Sequence, residues 1–386
     1  MSETIRDKSA IVGLGQTRLS SKGLEEDELT LACLAISAAI DDAGIRPEEV
    51  DGLALFDMES KREVEVARNL GLGEITFFAE VGYGGGAACA TVGHAAMAVA
   101  TGQCEVAVAW RARKRAAKST RVWSQVAKRL DDPDQWVRPA GLLRPVDEIA
   151  MLTRRYMHEY GVSREQLANV ALSQRRHANR NPDAAMYDRE LDLEQYLSAR
   201  WISEPLCLYD NCLESDGALA VVITSVERAR DLRRPLVYVH SYAQGLPRQH
   251  QTMSSYFCED PLEGPSHAAA RRLWANSEIK PQDLSCAQIY DAFSPLVLLS
   301  LEGYGLCKRG EAAAFAEEGG LEWDGGRLPV NTSGGSLSEA YVHGFNHVAE
   351  GVRQMRGEAT SQVEGASSCL VTSGECVPTS ALVLRR

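Results

Sequence analysis

The sequence predicts an α/β protein built from two copies of one unit, with a helical segment inserted in the first copy. Three observations predict it. Short apolar runs alternate with stretches of helical period from the N-terminus onward, the rhythm of a sheet covered by helices. The stretch DDAGIRPEEVDGLALFD (41–57) returns as ANSEIKPQDLSCAQIYD (275–291). Ile45, Pro47, Glu49, Val50 and Asp57 match Ile279, Pro281, Asp283, Leu284 and Asp291 at one constant offset. Each copy then has a glycine pair opening a helix, Gly85-Gly86 and Gly334-Gly335.

The elements follow in order. SAIVGLG reads as a strand, and a helix runs from about Asp27 to Ala43. The lone Gly-x-Gly of GLGQT lacks the third glycine of a dinucleotide fingerprint, so it is a strand end. VDGLALF is a second strand. The stretch VGYGGGAACATVGHAAMAVATGQCEVAVAW (81–110) is a strand, a glycine turn, a helix and a closing strand. Residues 111–204 are more polar and form a helical insertion, with Ser163 and Gln166 as a capping box. ALAVVITS (218–225) resumes the first half. The predicted units are therefore 1–110 plus 205–235, the insertion 111–204, and a second half 236–386 that closes on CLVTSG or SALVLRR.

Composition narrows the function. The chain has 386 residues, 45% of them hydrophobic, enough to bury a full core. A net charge of −12 argues against general nucleic-acid binding. No run of about 18 apolar residues is present, and the N-terminus MSETIRDKSAIVG lacks an apolar signal centre, so a cytoplasmic location is expected. Ten cysteines are scattered singly with no CxxC pair, which points to reduced thiols and not to zinc or redox chemistry. His343 and His347, four apart, could chelate a metal with Glu339, but nothing else supports this and no metal is expected.

The duplicated halves, the helical insertion, ESDGALAVVI and NTSGGSLSEAYVHG resemble the thiolase superfamily over nearly the whole chain, and look closest to the sterol-carrier-protein-type thiolases. The resemblance implies a thiolase fold, five layers in the order αβαβα. Thiolases place a nucleophilic cysteine at the first glycine turn; the spacing to Gly102-Gln103 puts Gly85 there. The frame from Gly334-Gly335 puts Tyr341 at the histidine position, and Tyr290-Asp291-Ala292-Phe293 stands for the third motif. The second catalytic cysteine falls near Ser373, with Cys376 close by. Glycine cannot be acylated, so thiolase chemistry at this turn is ruled against.

The pattern is similar to a divergent branch, the actinobacterial steroid side-chain aldolases often labelled lipid-transfer proteins. That resemblance implies a lyase cleaving a 17-hydroxy-3-oxo-pregnene-20-carboxyl-CoA type thioester to a 17-ketosteroid, such as androstenedione, and propionyl-CoA. It also implies a small OB-fold partner belonging to an acyl-CoA hydratase subunit, a homodimer through the N-terminal half, and hence a heterotetramer. No cofactor is expected; coenzyme A enters as part of the substrate.

Retro-aldol cleavage needs a base for the hydroxyl, stabilisation of a thioester enolate, and an acid for its α-carbon. Tyr341 is the expected base and Tyr290 the acid, with the reverse assignment open. A base role needs the phenol pKa lowered, and His343 and His347 are near enough in sequence to help. Gly85 would leave room for a bulky alcohol, and the Gly85-Gly86 turn could offer N–H groups to an oxyanion. Asp291 either orients a neighbour or caps a turn. The run RARKRAAKSTR (111–121) suggests Arg111, Arg113 and Arg115 for the phosphates of coenzyme A, a surface loop or partner contact being the alternative. Gly335 and Ser336 complete the expected coenzyme A contacts. Two rival readings stand beside the aldolase: a non-catalytic acyl-CoA or sterol carrier, and a thiolase using Cys89, with His94 read as a core histidine.

Overall fold

The computed structural model describes residues 4–60, 62–117, 134–249, 253 and 258–386. The first half runs β1 (Ser9–Gln16), α1 (Glu28–Ala43), β2 (Gly52–Phe56), α2 (Glu63–Leu70), β3 (Phe77–Val81), α3 (Ala88–Ala100) and β4 (Val106–Arg113). The insertion carries α4 (Asp134–Val137), α5 (Pro145–Tyr160), α6 (Arg164–Ala178), α7 (Leu193–Ser198), β5 (Trp201–Ser203) and β6 (Leu206–Cys207). The first half resumes at β7 (Gly217–Ser225) and α8 (Val226–Ala229). The second half is β8 (Val237–Gly245), α9 (Pro265–Ala275), β9 (Cys286–Gln288), α10 (Ser294–Gly303), α11 (Ala312–Glu317), α12 (Gly335–Ser338), α13 (Phe345–Arg356), β10 (Ser368–Thr372) and β11 (Thr379–Arg385).

The duplication is exact in strand sense. From the junction outward the first half reads β1-β7-β4-β2-β3 and the second β8-β11-β10-β9. In each half the first two pairings are antiparallel and the next parallel. A parallel bridge from Ala287 to Val330 stands where β3 stands in the first half. The repeated segments coincide with two 3₁₀ turns of equal place, Pro47–Glu49 and Pro281–Asp283. β1 and β8 pair through Ala10–Tyr238 and Ile11–Val237, so the halves join into one nine-stranded sheet.

Strand alternation sorts the core into layers. In β2, Leu53 and Leu55 face α1, while Ala54 and Phe56 face the centre. In β11, Leu382 and Leu384 face the centre, while Ala381 and Val383 face the α9 and α10 side. Helices α3 and α13 fill the centre and pack on strands of both halves. The result is the αβαβα layering expected of the fold. The insertion covers the outer face of the second half, and its helix α6 opens on the Ser163–Gln166 capping box as the sequence indicated.

β4 corrects one boundary. It extends through Arg113, past the expected limit at 110, and carries Arg111 and Arg113 into the sheet. The basic run is therefore part strand, while Lys118 and Arg121 lie outside the described residues.

The halves also meet at the N-terminus of α3. Ser373, from the loop after β10, accepts the Cys89 N–H at 2.9 Å; Ser380 donates its one hydroxyl proton to the Gly86 carbonyl at 2.6 Å and accepts from the Ser373 hydroxyl at 2.9 Å. Ser373→Ala leaves the buried Cys89 N–H without its acceptor, a loss on the order of 1–3 kcal/mol. A lowered denaturant midpoint in a chemical unfolding curve is the expected result.

Candidate functional site

Tyr290 follows β9 and Tyr341 follows α12, and both are buried. Their hydroxyls lie 2.7 Å apart, with the rings edge-on at 68°. The backbone sets each ring. Tyr290 N–H donates to Thr372 Oγ1 at 3.1 Å, and Tyr341 N–H donates to the Leu213 carbonyl and Ser215 Oγ, both at 3.2 Å.

The Tyr290 hydroxyl stands against the glycine turn of the first half. A β-carbon at residue 85 would fall 2.1 Å from that oxygen. Two more glycines bracket the ring: a β-carbon on Gly344 would lie 2.8 Å from Cδ2, and one on Gly374 would lie 3.2 Å from Cε1. Gly85 therefore makes room for Tyr290, where the sequence reading had it making room for the substrate. Gly86 does not serve as the expected oxyanion donor, because its N–H is spent on the Tyr83 carbonyl at 3.0 Å.

Burial pushes both phenols well above their ordinary pKa; the positive charge of Arg113 opposes this but does not overcome it. The two histidines do not lower Tyr341 as expected. His343 is held well below its usual range by burial and then by Arg113, Arg111 and Arg115, so its ring is neutral. Arg111 Nη2 lies 2.9 Å from His343 Nδ1. A guanidinium only donates, so Nδ1 is the acceptor and the imidazole proton sits on Nε2. The His343 ring is edge-on to Tyr341 at 5.2 Å.

His347 points elsewhere. Its Nε2 lies 2.7 Å from Asp291 Oδ1, which also accepts the Ser336 N–H at 2.9 Å, while Oδ2 accepts the Leu337 N–H at 3.2 Å. Asp291 thus both orients a neighbour and caps the short helix α12. The two histidines diverge, and among the described residues no group of three His, Cys, Asp or Glu side chains could hold a metal.

The expected coenzyme A contacts are placed differently from the reading of the sequence. Arg111 is fully buried, with Nη1 2.7 Å from Glu59 and its guanidinium 4.7 Å over the Phe56 ring. Arg113 is also buried. Both face the central layer because they alternate with Ala112 along β4, so neither reaches solvent to meet a phosphate. Arg115 is half-buried, donating to the Lys114 carbonyl. Gly335 and Ser336 are interior, Ser336 with its N–H committed to Asp291.

Cys89 is no thiolase nucleophile in this setting. It is fully buried, its Sγ lies 3.4 Å from the Val371 carbonyl, and burial pushes its thiol up to about 12. His94 is half-buried, near Gln244 and edge-on to Tyr242. Cys212, which the sequence did not single out, lies on the segment that runs along both phenol loops: its N–H donates to the Ala292 carbonyl at 2.9 Å, and Glu214 two residues on bridges to Tyr341. Cys212 lines a cavity of about 600 Å³ together with Phe293, Leu337 and, from the insertion, Arg175, Arg189 and Arg200. Burial, with Asp291 and Glu214 behind it, holds the Cys212 thiol well above its ordinary range too, so it is no more a nucleophile than Cys89.

The family assignment rests on this geometry and on comparison. Residues 9–227 match the model for the thiolase N-terminal domain, and residues 248–384 match that for the thiolase C-terminal domain-like family. The chain belongs to the thiolase family. It is 45% identical to the 17-hydroxy-3-oxo-4-pregnene-20-carboxyl-CoA lyase of Mycobacterium tuberculosis, over 98% of this chain and 99% of that one. It is 46% identical to the steroid side-chain-cleaving aldolase of Thermomonospora curvata, over 97% of each. A solved structure of an Ltp2-ChsH2(DUF35) aldolase superposes with a TM-score of 0.94 at 45% identity, covering 99% of this chain and 98% of that one. An acetyl-CoA acetyltransferase from Syntrophomonas wolfei shares the thiolase fold at 14% identity, with a TM-score of 0.68.

Two predictions follow from the packing and charge. Gly85→Ala places a methyl group on the Tyr290 hydroxyl and costs on the order of 1–3 kcal/mol by overpacking. Adding Tyr290→Ala removes the collision, so the double variant should lose less stability than the two single losses combined, as unfolding midpoints will show. Glu339 and Glu375 are buried carboxyls whose desolvation raises each to about 7. Their stabilising contribution is complete below the ordinary carboxyl range and is lost as pH rises through about 7. Melting temperature should therefore fall as pH rises from about 4.5, the ordinary carboxyl value, to about 7 and level off above it, and Glu375→Gln should flatten that fall.

Proposed function

We propose that the chain is a steroid side-chain retro-aldolase, a lyase acting on a 17-hydroxy-3-oxo-pregnene-20-carboxyl-CoA type β-hydroxyacyl thioester. The observation that carries this reading is the Tyr290–Tyr341 hydrogen bond, standing where a thiolase would begin its nucleophilic side chain. The two relatives at 45% and 46% identity, named for this reaction, agree with it.

The hydroxyl proton leaves to one phenol oxygen as the new carbonyl forms. The bond from C17 to the thioester α-carbon breaks, and its electron pair becomes the thioester enolate. The phenol pair returns a proton to that carbon, giving a 17-ketosteroid and propionyl-CoA. Burial opposes a free phenolate on either ring, so a relay that takes in one proton as it gives up another suits these phenols. Tyr341 takes the hydroxyl proton and Tyr290 delivers to carbon, or the pair works in the opposite sense. No covalent intermediate and no cofactor is required.

The cavity beside Cys212 supports a place for the coenzyme A end. Arg189 and Arg200, both exposed, line it and supply positive charge, in place of Arg111, Arg113 and Arg115. A homodimer through the first half is supported by β3, an edge strand of the nine-stranded sheet with Phe78 exposed. The related aldolase was solved with a ChsH2(DUF35) component. That supports a partner of the same kind here, an OB-fold subunit completing a heterotetramer. No helix among the described residues is long and apolar enough to cross a membrane, which agrees with the proposed work in the cytoplasm.

Mass spectrometry of products from candidate β-hydroxyacyl-CoAs, with and without that partner, tests the reaction. Propionyl-CoA release supports it; binding without turnover under both conditions would leave a carrier. Tyr290→Phe and Tyr341→Phe should each lower kcat by about 10²- to 10⁴-fold. Full activity in both variants would overturn the roles assigned to the phenols.

A further inference from the structure

Arg113 is the last residue of β4 and is only 1% exposed. Among the described residues, neither of its terminal guanidinium nitrogens has a hydrogen-bond partner. Its neighbour two positions earlier shows the contrast. Arg111, on the same face of the strand, spends one terminal nitrogen on Glu59 and the other on His343. Among the described residues, Glu59 therefore pairs with one of two buried arginines, and Arg113 is left with the attraction of Glu28 and no hydrogen bond to its terminal nitrogens. An unpaired ion held out of water is strongly unfavourable unless something meets it.

The place of that charge is informative. Arg113 pairs in register with Gly217 of β7. The chain leading into Gly217 passes directly behind Tyr341, whose N–H is held by the Leu213 carbonyl and Ser215 Oγ. Arg111, one step back on the same face, already reaches the histidine edge-on to Tyr341. The charge of Arg113 is felt at Tyr290, Tyr341 and His343 alike. Burial, followed by Arg111 and Arg115, draws Arg113 itself down to about 9, which leaves it charged at neutral pH.

We propose that Arg113 is a further catalytic residue, whose guanidinium receives the negative charge that develops on the thioester oxygen when the carbon–carbon bond breaks. The proposal rests on the retro-aldol reading above. The electron pair released from the broken bond spreads over the α-carbon and the thioester oxygen. A preset cation in a water-poor site stabilises that charge more than it stabilises the neutral thioester, which lowers the barrier and leaves binding little changed. The neutral His343 ring and the uncharged phenols add no competing anion.

Arg113→Met and Arg113→Lys test this in the full chain, assayed with the partner subunit present. Arg113→Met should lower kcat about 10²- to 10³-fold with little change in the KM for the thioester. It should raise the melting temperature, because it removes an unpaired buried charge. Arg113→Lys keeps the charge and should fall between wild type and Arg113→Met in rate. Exchange of the propionyl-CoA α-hydrogens into D2O reports enolate formation directly, and Arg113→Met should abolish it. Wild-type kcat or wild-type exchange in Arg113→Met would overturn the proposal. So would a rate loss accompanied by a lower melting temperature, which marks a structural role. Absence of cleavage by the wild-type protein would instead defeat the aldolase reading itself.

Discussion

Two buried phenols share one hydrogen bond at the seam between the halves, and the surrounding residues are arranged around keeping them uncharged and in contact. Tyr290 approaches from the second half and can reach the α3 turn only because residues 85, 344 and 374 lack side chains. Tyr341 is pinned through its backbone to the segment entering β7, in the first half. The pair thus depends on both halves being docked, and the serine contacts at the start of α3 hold that docking.

Charge is distributed with the same economy. The first half brings Arg111, Arg113 and Glu59 into the central layer, and the second brings His343 and the phenols. Because burial, and after it the arginines, keeps His343 neutral, its N–H is a donor and never an acid of ordinary strength. Asp291 is removed from this group by its bonds to α12 and His347, so no carboxylate of that loop quenches the arginines. What remains is a proton-carrying pair beside a cationic wall.

Much of this was legible in the sequence. The repeat at 41–57 and 275–291 located β2, β9 and the two 3₁₀ turns, because apolar period and proline-bearing turns are local properties. The frame from Gly334-Gly335 pointed to Tyr341, and the motif Tyr290-Asp291-Ala292-Phe293 pointed to Tyr290. What the sequence could not supply was direction. Arg111 and Arg113 sit in a run that reads as a solvated loop, since a strand of alternating charge buried in a central layer has no local signature. Cys212 was one of ten scattered thiols until the fold placed it on the segment that runs along both phenol loops. The meaning of Gly85 also needed three dimensions, because the oxygen that fills its space belongs to a residue of the other half.

That overlap bears on ancestry. A nucleophile at residue 85 and a phenol at residue 290 are mutually exclusive occupants of one small volume. A lineage moving between the two chemistries could not add the tyrosine while a side chain remained at 85. Nor could it restore the nucleophile while the tyrosine stayed. Ser373 deepens the commitment, since it now serves as a cap for the helix that residue 85 leads into. Reversal would have to pass through forms with neither chemistry, which leaves selection no intermediate to favour.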